Sequence, residues 1–232
     1  MFSRAPCGDE LCESRALLDD DLDMTFSLPR IYPITDANVS GLSHAEQVSR
    51  LIDGGATLIQ LRDKHSLPKD FLREAGAALE VARRNNVRVI INDRVDIALA
   101  LDADGVHLGQ SDMPVDAARA LLGPESIIGT STHNLAQVQL ASALPVNYIA
   151  FGPIFDTHTK SDHEPVIGLD QLSMAKQILP ETPLVAIGGI AGDNFLEALR
   201  AGADSVAVIS HLLSEPAQIA QKLKQMTAPS RR

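Results

Sequence analysis

From Arg30 to the end of the chain, short apolar runs rich in β-branched residues alternate with longer stretches whose apolar positions recur at helical spacing. The runs predict strands over 31–34, 58–61, 88–91, 105–108, 127–129, 148–150, 184–187 and 205–208. The periodic stretches predict helices over 43–53, 69–84, 94–100, 114–122, 135–143, 169–177, 193–201 and 216–226. Ser43 with Glu46 three residues on reads as a capping box, and Pro114 suits a first helical turn. Gly54 and Gly55 can end the first helix through a positive-φ residue. Eight strand–helix units in about 200 residues predict an α/β fold of the TIM class, a closed parallel (β/α)8 barrel with helices outside, over 29–232. An open doubly wound sheet fits less well, because no G-x-G-x-x-G opens a helix after the first strand. Residues 1–28 show no sustained period and carry Pro6, Gly8 and an acidic run, so they read as an N-terminal extension without assigned function.

The unusual polar residues fall at one end of these units. Thr35-Asp36 follows the first strand, and Gln60, Arg62 and Lys64 follow the second. Asn92, Asp93 and Arg94 follow the third, His107, Gln110 and Asp112 the fourth, and Thr130, Ser131 and His133 the fifth. Gly152, Thr157, Thr159 and Lys160 follow the sixth, Gly188-Gly189 the seventh, and Ser210 with His211 the eighth. Segments leading into the strands read as plain turns. In a parallel barrel the C-terminal ends of the strands are where chemistry is placed.

Gln60, Arg62 and Lys64 alternate, so an extended backbone points them to one side, where three donors suit a phosphate or diphosphate. A solvated strand end with a local Arg62–Asp63 pair is the plainer alternative. Asp93 and Asp112 at one mouth suit a magnesium ion shared with a diphosphate. Alternatively, Asp93 pairs with Arg94 or Arg62 and Asp112 caps the helix near Pro114. Gly188-Gly189, Ile209 and Ser210 fit the phosphate site that such barrels place after their last two strands. Lys160 lies in a polar loop, which favours holding phosphate over forming a Schiff base. His107 reads as a hydrogen-bonded core residue, His44, His65 and His211 as surface, and His133, His158 and His163 as ambiguous.

Composition narrows the partners. With 3% aromatics and no Trp, the core must be Ala, Val, Ile and Leu, and stacking platforms for single-stranded nucleic acid are missing. A net charge of -10 repels a nucleic-acid backbone. Two cysteines near the start give neither a disulfide framework nor a metal knuckle. No apolar run is long enough to span a bilayer, and a basic-then-apolar leader is not seen, so a cytoplasmic enzyme acting on small molecules is expected. Homo-oligomerisation is left open.

The motifs, taken in order, resemble thiamine phosphate synthase. They are Tyr32-x-Ile34-Thr35-Asp36, Gln60-Leu61-Arg62-Asp63-Lys64, Ile91-Asn92-Asp93-Arg94, Gly105-x-His107-x-Gly109-Gln110-x-Asp112, Gly152-x-x-Phe155 with Thr157-x-Thr159-Lys160, and Ala186-x-Gly188-Gly189-Ile190. The resemblance implies condensation of a hydroxymethylpyrimidine diphosphate with a phosphoethylthiazole to give thiamine phosphate and diphosphate. It implies that Gln60, Leu61, Arg62, Asp63, Lys64, Asn92, Ser131 and Lys160 hold the pyrimidine diphosphate, with Arg62, Lys64 and Lys160 stabilising the leaving group. It implies magnesium on Asp93 and Asp112, and the thiazole phosphate on Thr157, His158, Thr159, Gly189, Ile209 and Ser210. Pro33, inside the first strand motif, and residues 1–28 depart from the pattern without touching this chemistry. The rivals are a thiazole phosphate tautomerase with His133 as proton carrier, a thiazole- or thiamine-phosphate-binding regulator, and a phosphosugar isomerase or aldolase.

Overall fold

The computed structural model describes residues 26–157 and 165–228. The N-terminal extension up to residue 25, and His158, Thr159, Lys160 and His163, lie outside the described residues. Eight parallel strands close into a barrel in chain order: β1 (Ile31–Thr35), β2 (Leu58–Leu61), β3 (Arg88–Asn92), β4 (Gly105–Leu108), β5 (Ile127–Thr132), β6 (Tyr148–Phe151), β7 (Leu184–Ala186) and β8 (Ser205–Val208). The ring is shut by β1 on β8, with Ile31, Tyr32 and Pro33 in register with Val206, Ala207 and Val208. Closure leaves no edge strand, so a proline would break a ladder bond wherever it sat. Here β1 pairs with β2 only at Ile34 and Thr35, one residue beyond Pro33.

The crossover helices are α2 (His44–Asp53), α3 (Pro68–Arg84), α4 (Val95–Leu101), α5 (Val115–Leu122), α6 (Leu135–Ala141), α7 (Gly168–Ile178), α8 (Phe195–Arg200) and α10 (Ile219–Thr227). Two four-residue helices, α1 (Ala37–Ser40) and α9 (Ser210–Leu213), follow β1 and β8 and are too short to leave a periodic trace in the sequence. The capping box at Ser43 and Glu46 is present in both directions. Gly55, at φ 93°, takes the left-handed position after α2, while Gly54 stays right-handed. Pro114 is extended and precedes α5 rather than entering its first turn.

The turns feeding the strands are not plain. Asp104, Asn147 and Asp204 stand immediately before β4, β6 and β8, and each side chain accepts a backbone N–H at the start of the preceding strand. The donors are Val89 N at 2.7 Å, Ile128 N at 2.9 Å and Leu184 N at 2.8 Å. Leaving a buried amide unpaired costs about 1–3 kcal/mol, so these three residues secure the stable face of the barrel and leave the opposite face for chemistry.

Inside the barrel the packing is not wholly apolar. Tyr32, Gln60, His107 and Tyr148 come from β1, β2, β4 and β6 and hydrogen-bond to one another across the interior. Tyr148 fits because residue 129 on β5 is glycine: a Cβ there would lie 2.1 Å from the phenol ring.

Candidate active site

The C-terminal rim gathers two unlike arcs. The first runs from β1 to β5 and is polar. Gln60, at the end of β2 and 2% exposed, donates to the Tyr32 hydroxyl at 3.1 Å, below the rim. Arg62 is 8% exposed and donates to Asp36 at 2.5 Å. Asp36 also caps α1 through Asn38 N. The local Arg62–Asp63 pair is thus not formed. Asp63 instead accepts from the His65 and Ser66 amides, and its other oxygen lies 3.6 Å from His44 Nε2. Burial pushes Asp63 up, but the Ser66 and His65 hydrogen bonds outweigh it and bring the carboxyl to about 2.

Lys64 reaches across to Asp93, to which its ammonium is bonded. Asp93 follows β3 at φ 62°, a left-handed conformation that Asp tolerates better than most side chains, and its amide donates to His107 O at 2.8 Å. Burial pushes the Asp93 carboxyl up, the Lys64 ammonium pulls it back, and the Asp112 carboxyl beside it pushes it up again, for a net rise. Arg94 is taken by Asp96, so the alternative Asp93–Arg94 and Asp93–Arg62 pairs are both corrected to Asp93–Lys64. Asp112 does not cap α5; it accepts the Gly109 amide at 2.6 Å and holds the β4–α5 turn. Asn92, at the end of β3, is 7% exposed and its side-chain nitrogen is buried without a partner. Ser131 on β5 completes the arc, its hydroxyl 2.8 Å from His107 Nε2.

The second arc, from β5 to β8, encloses a cavity of about 750 Å³ whose walls are largely apolar, with Ile187, Ile190, Ile209 and Val39 among them. Gly188 and Gly189 stand at φ 96° and 65°, and a Cβ on Gly189 would lie 2.4 Å from Asp156 O. The glycines therefore let the 153–157 segment lie directly on the end of β7. Ser210, at the start of α9, Thr157 and Ser131 bring hydroxyls to the same cavity, as His133 brings an imidazole. His133 Nδ1 is 2.8 Å from Gly152 O, so that nitrogen carries the proton.

The chain that builds this rim matches known proteins over most of its length. The family model described as thiamine monophosphate synthase matches residues 31–212. The chain belongs to the thiamine monophosphate synthase family. It is 46% identical over 186 residues to the thiamine-phosphate synthase of Chloroflexus aurantiacus, covering 80% of this chain and 85% of that one. It is 43% identical over 206 residues to the thiamine-phosphate synthase of Koribacter versatilis, covering 86% and 96%. Among solved structures, thiamine phosphate pyrophosphorylase from Pyrococcus furiosus superposes with a TM-score of 0.75 at 34% identity, over 85% of this chain and 93% of that one.

Of the synthase-family residues expected from the sequence, the structure brings Asp93 into contact with both Lys64 and Asp112, with Asn92 adjoining Asp93 in the chain. It brings Ser131, Thr157, Gly189, Ile209 and Ser210 to one cavity. Leu61 is fully buried in the core, so only its backbone could meet a ligand. His107 is buried and hydrogen-bonded, as expected. His44 is not a surface residue: it is 1% exposed, packs on Phe71 and lies 2.8 Å from the Thr35 hydroxyl. Burial holds its imidazole below the ordinary range despite Asp63. His211 is half-buried and lines the cavity, while His65 is exposed as expected. Tyr32 and Tyr148 escaped sequence reasoning; two hydroxyl-bearing aromatics in strands of a chain with only 3% aromatics were the available signal.

The donor set also suits magnesium. Two facing carboxylates, one of them raised by burial and then by the other's presence, are what a divalent cation would relieve. Among the described residues no group of three or more acidic, His or Cys side chains is assembled.

Proposed function

We propose that the protein is a thiamine phosphate synthase, a transferase that joins 4-amino-2-methyl-5-(hydroxymethyl)pyrimidine diphosphate to 4-methyl-5-(2-phosphoethyl)thiazole. The observation that carries the reading is the meeting of Lys64, Asp93 and Asp112 on one arc of the rim, beside an apolar cavity of about 750 Å³, in a chain of this family. The polar arc takes the diphosphate and the cavity takes the thiazole. Asp93 and Asp112 would hold magnesium, which supplies charge neutralisation on the diphosphate when bound.

The step begins with heterolysis of the bond between the pyrimidine methylene carbon and the bridging diphosphate oxygen. The electron pair leaves on oxygen, and the methylene cation is stabilised by the ring amino group. The thiazole nitrogen then donates its lone pair to that carbon, forming the C–N bond of thiamine phosphate. Arg62, Lys64 and Lys160 stabilise the charge that develops on the departing oxygen. Asn92 offers its unpartnered amide N–H to the same anion, and Ser131 its hydroxyl. Gly189, Ser210 and Thr157 hold the thiazole phosphate, which fixes the nucleophile at attack distance. No general base is demanded by this step. No described helix is long and apolar enough to cross a membrane, and a cytoplasmic site of action belongs to the same proposal.

The test is to mix the purified chain with both substrates, with and without magnesium, and to follow thiamine phosphate and diphosphate by chromatography. Equal amounts of both products, dependent on the divalent ion, are expected. Product formed equally well in a chelator would remove the metal assignment. Isomerised thiazole phosphate without coupling would establish the tautomerase reading instead.

A further inference from the structure

The polar residues inside the barrel form one continuous chain of hydrogen bonds. Gln60 Nε2 lies 3.1 Å from the Tyr32 hydroxyl, which lies 3.0 Å from the Tyr148 hydroxyl. The Tyr148 hydroxyl lies 3.0 Å from His107 Nδ1, and His107 Nε2 lies 2.8 Å from the Ser131 hydroxyl. The two phenols are fully buried, and burial pushes both above the ordinary tyrosine range, so each keeps its single proton.

Proton counting then sets the direction of every link. The amide nitrogen of Gln60 can only donate, so the Tyr32 oxygen accepts from it and the Tyr32 proton goes to Tyr148. The Tyr148 proton goes in turn to His107 Nδ1, which must be bare, and the imidazole proton sits on Nε2 and points at Ser131. Running the chain the other way would leave the Tyr32 proton facing an N–H, a buried donor without an acceptor. Ser131, accepting from His107, turns its own proton elsewhere, and it lines the large cavity.

We infer that Tyr148 is a positioning residue for the coupling reaction: it fixes His107 as the Nε2–H tautomer and thereby presents Ser131 to the substrate as a hydrogen-bond donor. Tyr148 itself acts only through His107. Its ring stacks on the imidazole with centroids 5.5 Å apart and is seated over Gly129, so the donor is held in place by packing as well as by hydrogen bonds. The developing oxyanion of the leaving group needs donors, and a serine hydroxyl turned the other way would offer it a lone pair. This inference rests on the proposed coupling activity for its consequence, although the tautomer itself does not.

The experiment is long-range proton–nitrogen NMR on the full chain labelled at histidine, with the His107 signals assigned by loss in His107→Asn. In the unsubstituted protein Nδ1 is expected at the shift of an unprotonated nitrogen and Nε2 at that of an N–H. Tyr148→Phe should populate both tautomers and lower kcat roughly 10- to 100-fold, with KM for the pyrimidine diphosphate nearly unchanged. Tyr32→Phe, equally buried but one link upstream, leaves the Tyr148 donor in place and should keep both the tautomer and kcat. A proton on Nδ1 in the unsubstituted protein overturns the inference without any variant having to fold. So does an unchanged tautomer in Tyr148→Phe, or equal damage from Tyr32→Phe, which would mark the effect as packing alone. If the protein makes no thiamine phosphate, the NMR result still decides the tautomer, and only the proposed activity fails.

Discussion

Arg62 and Asp36 offer the sharpest test of how the rim is held. Their side chains are 10% and 8% exposed and meet at 2.5 Å, so the pair is shielded from the screening that makes surface ion pairs nearly worthless. Asp36→Asn keeps the shape and the cap on Asn38 N, which requires the side-chain oxygen at Oδ1. The new amide nitrogen is then forced against the guanidinium, donor against donor. Removing one partner of a buried pair costs about 3–5 kcal/mol, because the other charge is left uncompensated. For a chain of this size each kcal/mol moves the melting temperature by about 2–4 °C, so a fall of about 6–20 °C is expected in Asp36→Asn. The assay is thermal unfolding of the two single variants, Asp36→Asn and Arg62→Met, and of the double variant. Arg62→Met removes the stranded charge, so the double variant should recover much of the loss, with a coupling energy above about 1.5 kcal/mol. A coupling below about 0.5 kcal/mol, or a shift in Asp36→Asn under about 2 °C, would refute the claim that this pair fixes Arg62 at the rim.

Four further outcomes follow from the same structure. Asp93 is raised by burial and by Asp112, so its contribution to stability is complete below the unfolded carboxyl range, about pH 4, and is lost as pH rises through the folded value. Asp93→Asn should therefore melt higher than the unsubstituted protein at pH 7 without metal, the gap shrinking toward pH 4, while coupling is lost; differential scanning calorimetry across pH checks this. Asp63 runs the other way. Held at about 2 by the Ser66 and His65 bonds, it stabilises the fold above about pH 4, and that contribution disappears as pH falls through its folded value. Asp63→Asn should accordingly melt lower at pH 7 but not at pH 2. Finally, a Cβ on Gly105 would stand 1.8 Å from Ile127 O, a backbone atom that cannot move aside, so Gly105→Ala should not give folded protein by circular dichroism. Gly76→Ala on α3, where the nearest atom is 3.5 Å away, should gain about 0.5–1 kcal/mol in urea unfolding.

The strands were legible because a parallel barrel buries both faces of each strand and so writes them as unbroken apolar runs. Most of the misjudged ends are polar (Thr35, Asn92 and Thr130 to Thr132), whereas Phe151 closing β6 and Ile187 beyond β7 are apolar. β5 runs on through Thr130, Ser131 and Thr132, whose hydroxyls are satisfied within the barrel, Thr130 and Thr132 by carbonyls on neighbouring strands. α1 and α9 are too short for periodicity, although Asp36 and Gly41 bracket α1 with a cap and a left-handed stop that were there to be read. The three residues Asp104, Asn147 and Asp204 recur one position before every second strand from β4 to β8, a repeat visible in the sequence once one asks where each strand's leading amide finds its acceptor.

The pairing of the rim residues was not legible in the sequence. Alternation grouped Gln60, Arg62 and Lys64, but β2 ends at Leu61, so only Gln60 of the three is held on a strand. They reach residues of two other strands: Tyr32 in β1 and Asp36 just after it, and Asp93 just after β3. Those partners lie 28, 26 and 29 residues away, beyond any local rule, because closure of the ring decides which rim residues become neighbours. The consequence is chemical. Of the cations expected to take a diphosphate, the two that the structure describes are each paired with a carboxylate, and a third carboxylate, Asp112, crowds Asp93. Lys64 is the more exposed and can swing from Asp93 to a phosphate oxygen, but doing so abandons two facing acids unless a cation replaces it. If the proposed magnesium binds there, it would replace the Lys64 charge beside Asp93, and its binding would be coupled to that of the diphosphate.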